Sequence, residues 1–255
     1  MRCYFLIMIL LVTGAGCASS ARKTPNLPEA SPVDVNSPGD AAFDEFETEL
    51  SQRQVAVADP IEPWNRTMFG INDIFYFWVA KPVMQTYEKI VPRPARVCIG
   101  NFFENLTTPA RFVNCLFQGK GSEADRELCR FGINTTAGVL GFGDPAHDRW
   151  GLEPAQEDLG QTLAVYGFGD GFYVVWPLLG PSTLRDSVGM VGDAFLNPVR
   201  YVKPAEASIG ISAVDATNKG SFHIGEYEVF KSAAVEPYVA MRGAYIQYRS
   251  KQIKE

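Results

Sequence analysis

Histidine is nearly missing from this chain. In 255 residues it occurs only at His147 and His223, and neither stands in an HxxxH or HExxH spacing. A serine or cysteine nucleophile needs a base beside it, and here Ser182 in STLRD has no histidine with a claim to it. Gly-x-Ser-x-Gly and the Gly-Lys-Ser/Thr phosphate loop are also absent. The sequence therefore reads as that of a protein that is not an enzyme. A surplus of positive charge is lacking too: 23 Lys and Arg against 29 Asp and Glu give a net charge of −6. This excludes nucleic acid as a partner, since nucleic acid wants a basic stripe, and it excludes simple electrostatic adhesion to anionic lipid. Long apolar runs are lacking as well. Beyond the N-terminal Tyr4 to Val12, the richest stretch, EPWNRTMFGINDIFYFWVAKPVM, is interrupted by polar residues and is too short to span a bilayer.

The N-terminus, MRCYFLIMILLVTGAGCASS, has a positive Arg2, an apolar Tyr4 to Val12 and small residues before Cys17. That is a secretory signal over residues 1–16. Gly14-Ala15-Gly16-Cys17 resembles the lipobox of bacterial lipoproteins, which more often has Leu where Gly14 stands. The resemblance implies that Cys17 is acylated and becomes the mature N-terminus; ordinary signal cleavage is the alternative. Ala18, rather than Asp, is similar to the pattern that sorts such lipoproteins to a Gram-negative outer membrane. Two or three acyl chains would hold the protein firmly, at about 0.8 kcal/mol per buried CH₂. Of the other cysteines, Cys98, Cys115 and Cys129 lie in the mature chain. An odd number cannot be fully paired, so they read as small hydrophobic thiols, with one disulfide among them still open.

Residues 17–58 are rich in Pro, Ser, Ala, Asp and Glu and poor in large apolar residues, as in KTPNLPEASPVDVNSPGDAAFDE. Such a segment cannot bury enough surface to order itself, and it reads as a disordered tether, with a short acidic helix over 43–50. Residues 59–255 then form one domain, mainly helical. In the helix begun by Asp59-Pro60, Trp64, Met68, Ile71, Ile74, Phe75, Trp78 and Val79 share one arc, and Asn65, Arg66, Asn72 and Asp73 share the other. Both an interfacial helix with wet polar tips and a core helix of a soluble bundle fit that pattern. Pro92 and Pro94 predict an extended or irregular stretch over YEKIVPRPARVCIGNFFENL. Thr108-Pro109 predicts a helix start and Gly119 its stop, and Ser122 with Asp125 starts another helix running to Phe142. A helix within 187–202 that ends near Asn197-Pro198 and two C-terminal helices divided at Pro237 follow, with Tyr238, Met241, Tyr245 and Tyr248 on one packing face.

Three clusters could carry chemistry, and each has a plainer reading. Asp144, His147 and Asp148 could hold a metal or form a proline-containing surface turn. Glu153, Glu157 and Asp158 could be a working carboxylate pair or a solvated loop. Ser182 reads as the N-cap of STLRD. Gly167, Gly169 and Gly171, in YGFGDGFYVVWPLLGPSTLRD, alternate one by one, which fits neither GxGxxG nor a phosphate loop. They read as a hairpin or hinge with Asp170 at its tip.

EDLGQTLAVYGFGDGFYVVWPLLGPSTLRDSVG strongly resembles the signature of the VacJ/MlaA family of outer-membrane phospholipid-transport lipoproteins. So do DPIEPWNRTMFGIND, VPRPARVCIGNFFENLTTPARFVNCLFQGK, RFGINTTAGVLGFGDPA and SAAVEPYVAMRGAYIQYRS, which together run from Asp59 to about Arg249. Phe172 and Trp176 stand where the family more often has Pro and Leu. The resemblance implies an all-α, ring-like, membrane-embedded domain with a small glycine-rich hairpin, seated in the inner leaflet from the periplasmic face. It implies a central amphipathic channel for phospholipids, trimeric porins and a soluble periplasmic lipid carrier as partners, and removal of stray outer-leaflet lipid to maintain membrane asymmetry. No cofactor or metal is implied, only the covalent N-terminal lipid and a transient phospholipid. Gly167, Gly169 and Gly171 become a hinge or gate near the channel, and Asn134, Thr135 and Thr136 candidate lining. The rival expectation is a structural or surface-interaction lipoprotein that binds protein partners and moves no lipid. Replacing Cys17 with Ser is expected to abolish incorporation of radiolabelled palmitate; undiminished labelling would reject acylation at this position.

Overall fold

The computed structural model describes residues 57–254. The signal at 1–16, Cys17, most of the 17–58 tether and the helix expected over 43–50 lie outside the described residues. Among the described residues, packing already includes the two before the expected Asp59: Val57 is buried, and Ala58 O accepts a 2.9 Å bond from Tyr173 N.

Helices dominate. Helix α1 (Glu62–Phe75) passes through a π-helical turn (Tyr76–Ala80) directly into α2 (Lys81–Ile90). Helices α3 (Arg93–Phe117), α4 (Gly121–Thr136), α5 (Pro145–Trp150) and α6 (Leu159–Val165) follow. A two-stranded antiparallel hairpin, β1 (Tyr173–Trp176) with β2 (Gly180–Thr183), pairs Tyr173 with Thr183 and Trp176 with Gly180. Then come α7 (Leu184–Leu196), a 3₁₀ turn (Pro198–Tyr201), α8 (Ala205–Gly220), α9 (Glu226–Ala233) and α10 (Pro237–Lys254). The all-α reading with one small hairpin holds, as does the division of the C-terminal helices at Pro237. No helix among the described residues is long and apolar enough to cross a membrane.

Several local expectations are corrected. The stretch after Val91 is helix, not extended chain: Pro92 is the N-cap of α3 and proline occupies its first turn, where no N–H is needed. Pro109 does not start a helix but lies inside α3. Ser122 does not cap α4, whose N-cap is Lys120 without a side-chain bond. That helix stops at Thr136 rather than Phe142, because Val139 and Leu140 both take positive φ. The cap of α7 is Thr183, whose hydroxyl accepts from Asp186 N, one residue beyond Ser182. The hairpin follows the three glycines instead of containing them. Gly167, with φ +88°, ends α6, and Gly171 has φ +72° and Leu184 Cβ only 2.9 Å from where its own Cβ would sit.

The faces of α1 are oriented opposite to the ordinary rule. Trp64, Ile71, Ile74 and Phe75 of α1, with Trp78 and Val79 of the π-helical turn that continues it, are exposed, Trp78 by 80%. Asn65, in contrast, is 0% exposed, and of the apolar arc Met68 alone packs into the core. Asn65 donates to Tyr173 O at 3.0 Å and accepts from Val175 N at 2.7 Å. One heptad on, Asn72 donates to Trp176 O at 2.9 Å and accepts from Leu178 N at 2.7 Å. Two asparagine side chains thus satisfy the outer edge of β1 as another strand would. Asp73 turns inward as well, to Lys231 at 2.7 Å and the Tyr227 hydroxyl at 2.9 Å.

The apolar core is correspondingly small. Val57, Met68, Tyr173, Val175, Tyr238 and Ile246 form one cluster, and Cys115, Ala124 and Ala155 another. Cys115 and Cys129 are free thiols. Burial pushes the Cys115 thiol up to about 11, which keeps it protonated and chemically quiet. Gly160 and Gly189 let α6 and α7 touch: a Cβ on Gly189 would lie 2.4 Å from Gly160 N. Truncating Asn65 to Ala strands two backbone groups of β1 and is expected to cost about 3 kcal/mol in detergent-solubilised unfolding, while Trp78→Ala costs under about 0.5 kcal/mol. Equal losses would contradict the inverted orientation of α1.

Candidate functional site

The inward face of α3 carries Arg96, Thr108, Arg111 and Asn114, all buried. A buried guanidinium is costly unless acceptors or a counter-charge meet it. Arg111 meets the wholly buried Glu127 at 2.8 Å and Glu104 at 2.8 Å. Glu127 in turn accepts from Ala155 N at 2.7 Å. Arg96 reaches Ser221 O and Oγ, both at 3.0 Å, and so fastens α3 to the end of α8.

A second network is centred on Arg249 of α10. Its guanidinium bridges Asp158 at 2.7 and 3.0 Å and Asp186 at 2.9 and 3.0 Å. Asp158 also caps α6, accepting from Gln161 N at 2.9 Å. Asp186 accepts further bonds from the Tyr245 hydroxyl at 2.8 Å and from Arg185 at 3.0 Å. Burial raises the Asp186 pKa, but bonding to Arg249, then its charge, Tyr245 and Arg185 outweigh burial, and the carboxyl lies below its ordinary 3.8. Burial lowers the Arg249 pKa, and its two aspartates more than reverse that.

These networks border a cavity of about 670 Å³. Helix α3 supplies Glu104, Thr107, Ala110 and Arg111, and α7 supplies Asp186, Met190, Asp193 and Ala194. Tyr245, Tyr248 and Arg249 of α10 face them, and Glu157, Asp158 and Ser182 complete much of the remaining wall. The lining mixes charged groups with the apolar surfaces of Met190, Ala110, Ala194 and the tyrosine rings. Such a wall suits the polar end of an amphiphile. It suits acid–base or nucleophilic work poorly: Ser182 Oγ is engaged with Thr183 O, Ser187 Oγ and the Tyr245 hydroxyl, and every carboxylate named is hydrogen-bonded or ion-paired.

The residues singled out from sequence are dispersed. Asn134 is buried, donating to Asp144 at 2.8 Å and accepting from Ala146 N at 3.1 Å. Thr135 accepts from Asn105 at 3.1 Å, and the exposed Thr136 donates back to Gly132 O at 2.7 Å. None of the three borders the cavity. Gly167, Gly169 and Gly171 are exposed and connect α6 to β1. Their loop reaches the cavity wall indirectly: Asp170 pairs with Arg185 at 2.9 Å, and Arg185 with Asp186. Asp144 is the N-cap of α5, bonded to His147 N and held by Arg130. Glu157 is not in a solvated loop but buried, meeting Lys120 at 2.6 Å and Gln118 at 2.7 Å. Arg111, Asp193 and Arg249 escaped sequence reasoning. The available signal was a lone charge inside otherwise apolar or aromatic stretches such as PARFVN and YIQYRS.

The family model described as MlaA lipoprotein matches residues 57–252. The chain is similar to the intermembrane phospholipid transport system lipoprotein MlaA of Shigella flexneri, 34% identical over 197 residues, covering 74% of this chain and 76% of that one. An uncharacterized protein of Rickettsia felis is 29% identical over 199 residues, covering 78% and 79%. A solved structure described as "Structural basis for maintenance of bacterial outer membrane lipid asymmetry" is similar with a TM-score of 0.69 and 31% identity, covering 77% of this chain and 99% of that one. Substituting Met for Arg249 removes the cation that the partly exposed Asp158 shares with the buried Asp186, leaving Asp186 with Arg185 alone. The expected loss is about 3–5 kcal/mol near neutral pH. The stability that Asp186 draws from this bridge is complete above its unfolded pKa and fades as pH falls through its lower folded value, so the deficit shrinks in acid. Chemical denaturation of both forms across pH checks this, and a pH-independent deficit would refute it.

Proposed function

Because the chain belongs to the MlaA lipoprotein family, we propose that it is an outer-membrane lipoprotein that withdraws mislocalised phospholipid from the outer leaflet and so maintains lipid asymmetry. The observation that carries this reading is the inverted distribution of polarity. Arg111, Glu127, Asn65 and Arg249 are buried, while Trp64, Ile74, Trp78, Val188, Val191 and Phe195 are exposed. In water that arrangement would leave apolar surface uncovered and place charges where they cost most. Against hydrocarbon it is the expected one, since the helices satisfy their own backbone groups and present apolar side chains to lipid.

In this reading Cys17 is acylated and anchors the chain, and residues 17–58 are a tether whose last two, Val57 and Ala58, are packed against the domain. The helical domain lies ring-like in the inner leaflet, entered from the periplasmic face. The head group passes by way of the charged cavity while acyl chains follow apolar walls. Asn134, Thr135 and Thr136 lie apart from this cavity, and Thr136, the exposed member of the trio, is the one to meet lipid outside it. Trimeric porins support the ring, and a soluble periplasmic carrier accepts the lipid. The protein supplies a passive path, without catalysis, cofactor or metal, and the driving energy comes from elsewhere in the system.

The glycine loop is the movable element, linked to the cavity by Asp170, Arg185 and Asp186. Gly169 has nothing within 4 Å of the position a Cβ would take, so a larger side chain fits there. Gly169→Val therefore leaves the fold intact and stiffens the loop, whereas Gly171→Val crowds Leu184 and strains the backbone. Deleting the gene is expected to raise surface-exposed phospholipid, measured by outer-leaflet labelling, and Gly169→Val to shift that level with normal protein abundance. An unchanged level in the deletion strain would overturn the transport reading. An unchanged level in Gly169→Val alone would overturn the gate.

A further inference from the structure

We propose that Asp193 selects among head groups, receiving the ammonium of an aminophospholipid in preference to an anionic lipid without an amine. This rests on the lipid-passage reading and deepens it by naming the class of head group that the cavity takes.

Head-group recognition depends on which charges in the cavity remain free to bind. A guanidinium has five N–H donors. In Arg249 all five are engaged: Nε with Asp186, one terminal nitrogen with Asp158 and Gln252, and the other with Asp158 and Asp186. Arg111 is equally committed. Its Nε donates to Glu127, one terminal nitrogen to Glu104 and the Thr107 hydroxyl, and the other to Glu104 O and the Thr108 hydroxyl. Neither cation lining the cavity has a donor left for a phosphate or any other anion.

The carboxylates are not evenly committed. Glu104 has Arg111, Glu157 has Lys120, and Asp158 and Asp186 share Arg249. Asp193 also borders the cavity, yet among the described residues no lysine or arginine lies within ion-pair distance of it. It is held in place by neutral donors, Asn114 Nδ2 at 2.8 Å on one oxygen and Leu159 N at 3.0 Å on the other. A carboxylate offers about four acceptor sites, so two remain open after these bonds. Burial raises its pKa, consistent with a negative charge short of a cation. Its position is rigid. Asn114 is itself tied to the Thr162 hydroxyl at 2.9 Å, and a Cβ on the adjacent Gly192 would come within 2.1 Å of the Leu159 side chain.

The cavity therefore offers a fixed, under-neutralised carboxylate and no uncommitted cation. An ammonium supplies up to three donors to such a group. A head group carrying net negative charge finds no partner and meets an excess of carboxylates.

The test uses the full acylated chain in mild detergent, equilibrated with mixed micelles of equimolar phosphatidylethanolamine and phosphatidylglycerol, with bound lipid counted by native mass spectrometry. The wild type is expected to enrich phosphatidylethanolamine roughly five-fold over the supplied ratio, the discrimination of one partly solvated ion pair. Asp193→Asn is expected to return the bound ratio to the supplied one with total bound lipid maintained, and Asp193→Glu to keep the enrichment. The wild-type ratio tests the inference even if a variant fails to fold. Equal binding of the two lipids, or enrichment of phosphatidylglycerol, by the wild type overturns the role of Asp193 while leaving lipid passage standing. Enrichment that persists in Asp193→Asn also overturns it. Absence of both lipids from the protein overturns the passage reading and this inference with it.

Discussion

The rest of the structure depends on the bridge that Arg249 makes between Asp158 and Asp186. Asp158 caps α6, Asp186 occupies the first turn of α7, and Arg249 comes from α10, so one guanidinium joins three helices distant in sequence. The same pattern recurs wherever the chain turns polarity inward. Arg111 joins α3 to α4 through Glu127, Asn218 of α8 holds Arg96 O and accepts from Tyr87, and Asn65 holds the edge of the hairpin. Each of these groups would be costly if buried alone. Their mutual satisfaction permits a fold with a small apolar core.

What the polar interior leaves outside follows directly. Side chains that would fill the core of a water-soluble bundle of this size instead form its surface, from Trp78 to Val188, Val191 and Phe195. A family of membrane-associated lipoproteins accounts for that surface, and the charged cavity among the same helices accounts for why the interior is polar at all. The two features are complementary. A lipid has a polar end and an apolar end, and this chain has an inner and an outer surface to match. The glycine loop lies beside both surfaces: its three glycines are exposed, and Asp170 ties it to the cavity wall through Arg185.

The sequence announced the helices better than their orientation. Proline spacing placed the end of α7 and the division between α9 and α10, while the cap of α7 lay one residue beyond the expected Ser182. Periodicity cannot say which arc faces the protein, because that depends on the solvent outside. Asn65 and Asn72 consequently looked like wet positions when they are the ones that fasten β1. Pro92 and Pro94 looked like breakers because proline is penalised in helix interiors, yet in the first turn it costs nothing. Glu157 looked solvated because its partners, Gln118 and Lys120, are almost forty positions away, and no local pattern carries such a contact. Asn134 was singled out correctly as an embedded polar group, but its partners proved to be Asp144 and Ala146 N.

The central claim is that the apolar arc of α1 faces lipid hydrocarbon while its asparagine arc faces the protein. Tryptophan quenching tests it most directly. The protein is reconstituted in bilayers containing lipids brominated along the acyl chain, and the contribution of Trp78 is isolated by comparison with Trp78→Phe. The account predicts a Trp78 emission that is blue-shifted and strongly quenched by the brominated chains. A red-shifted emission quenched only by aqueous acrylamide would contradict it.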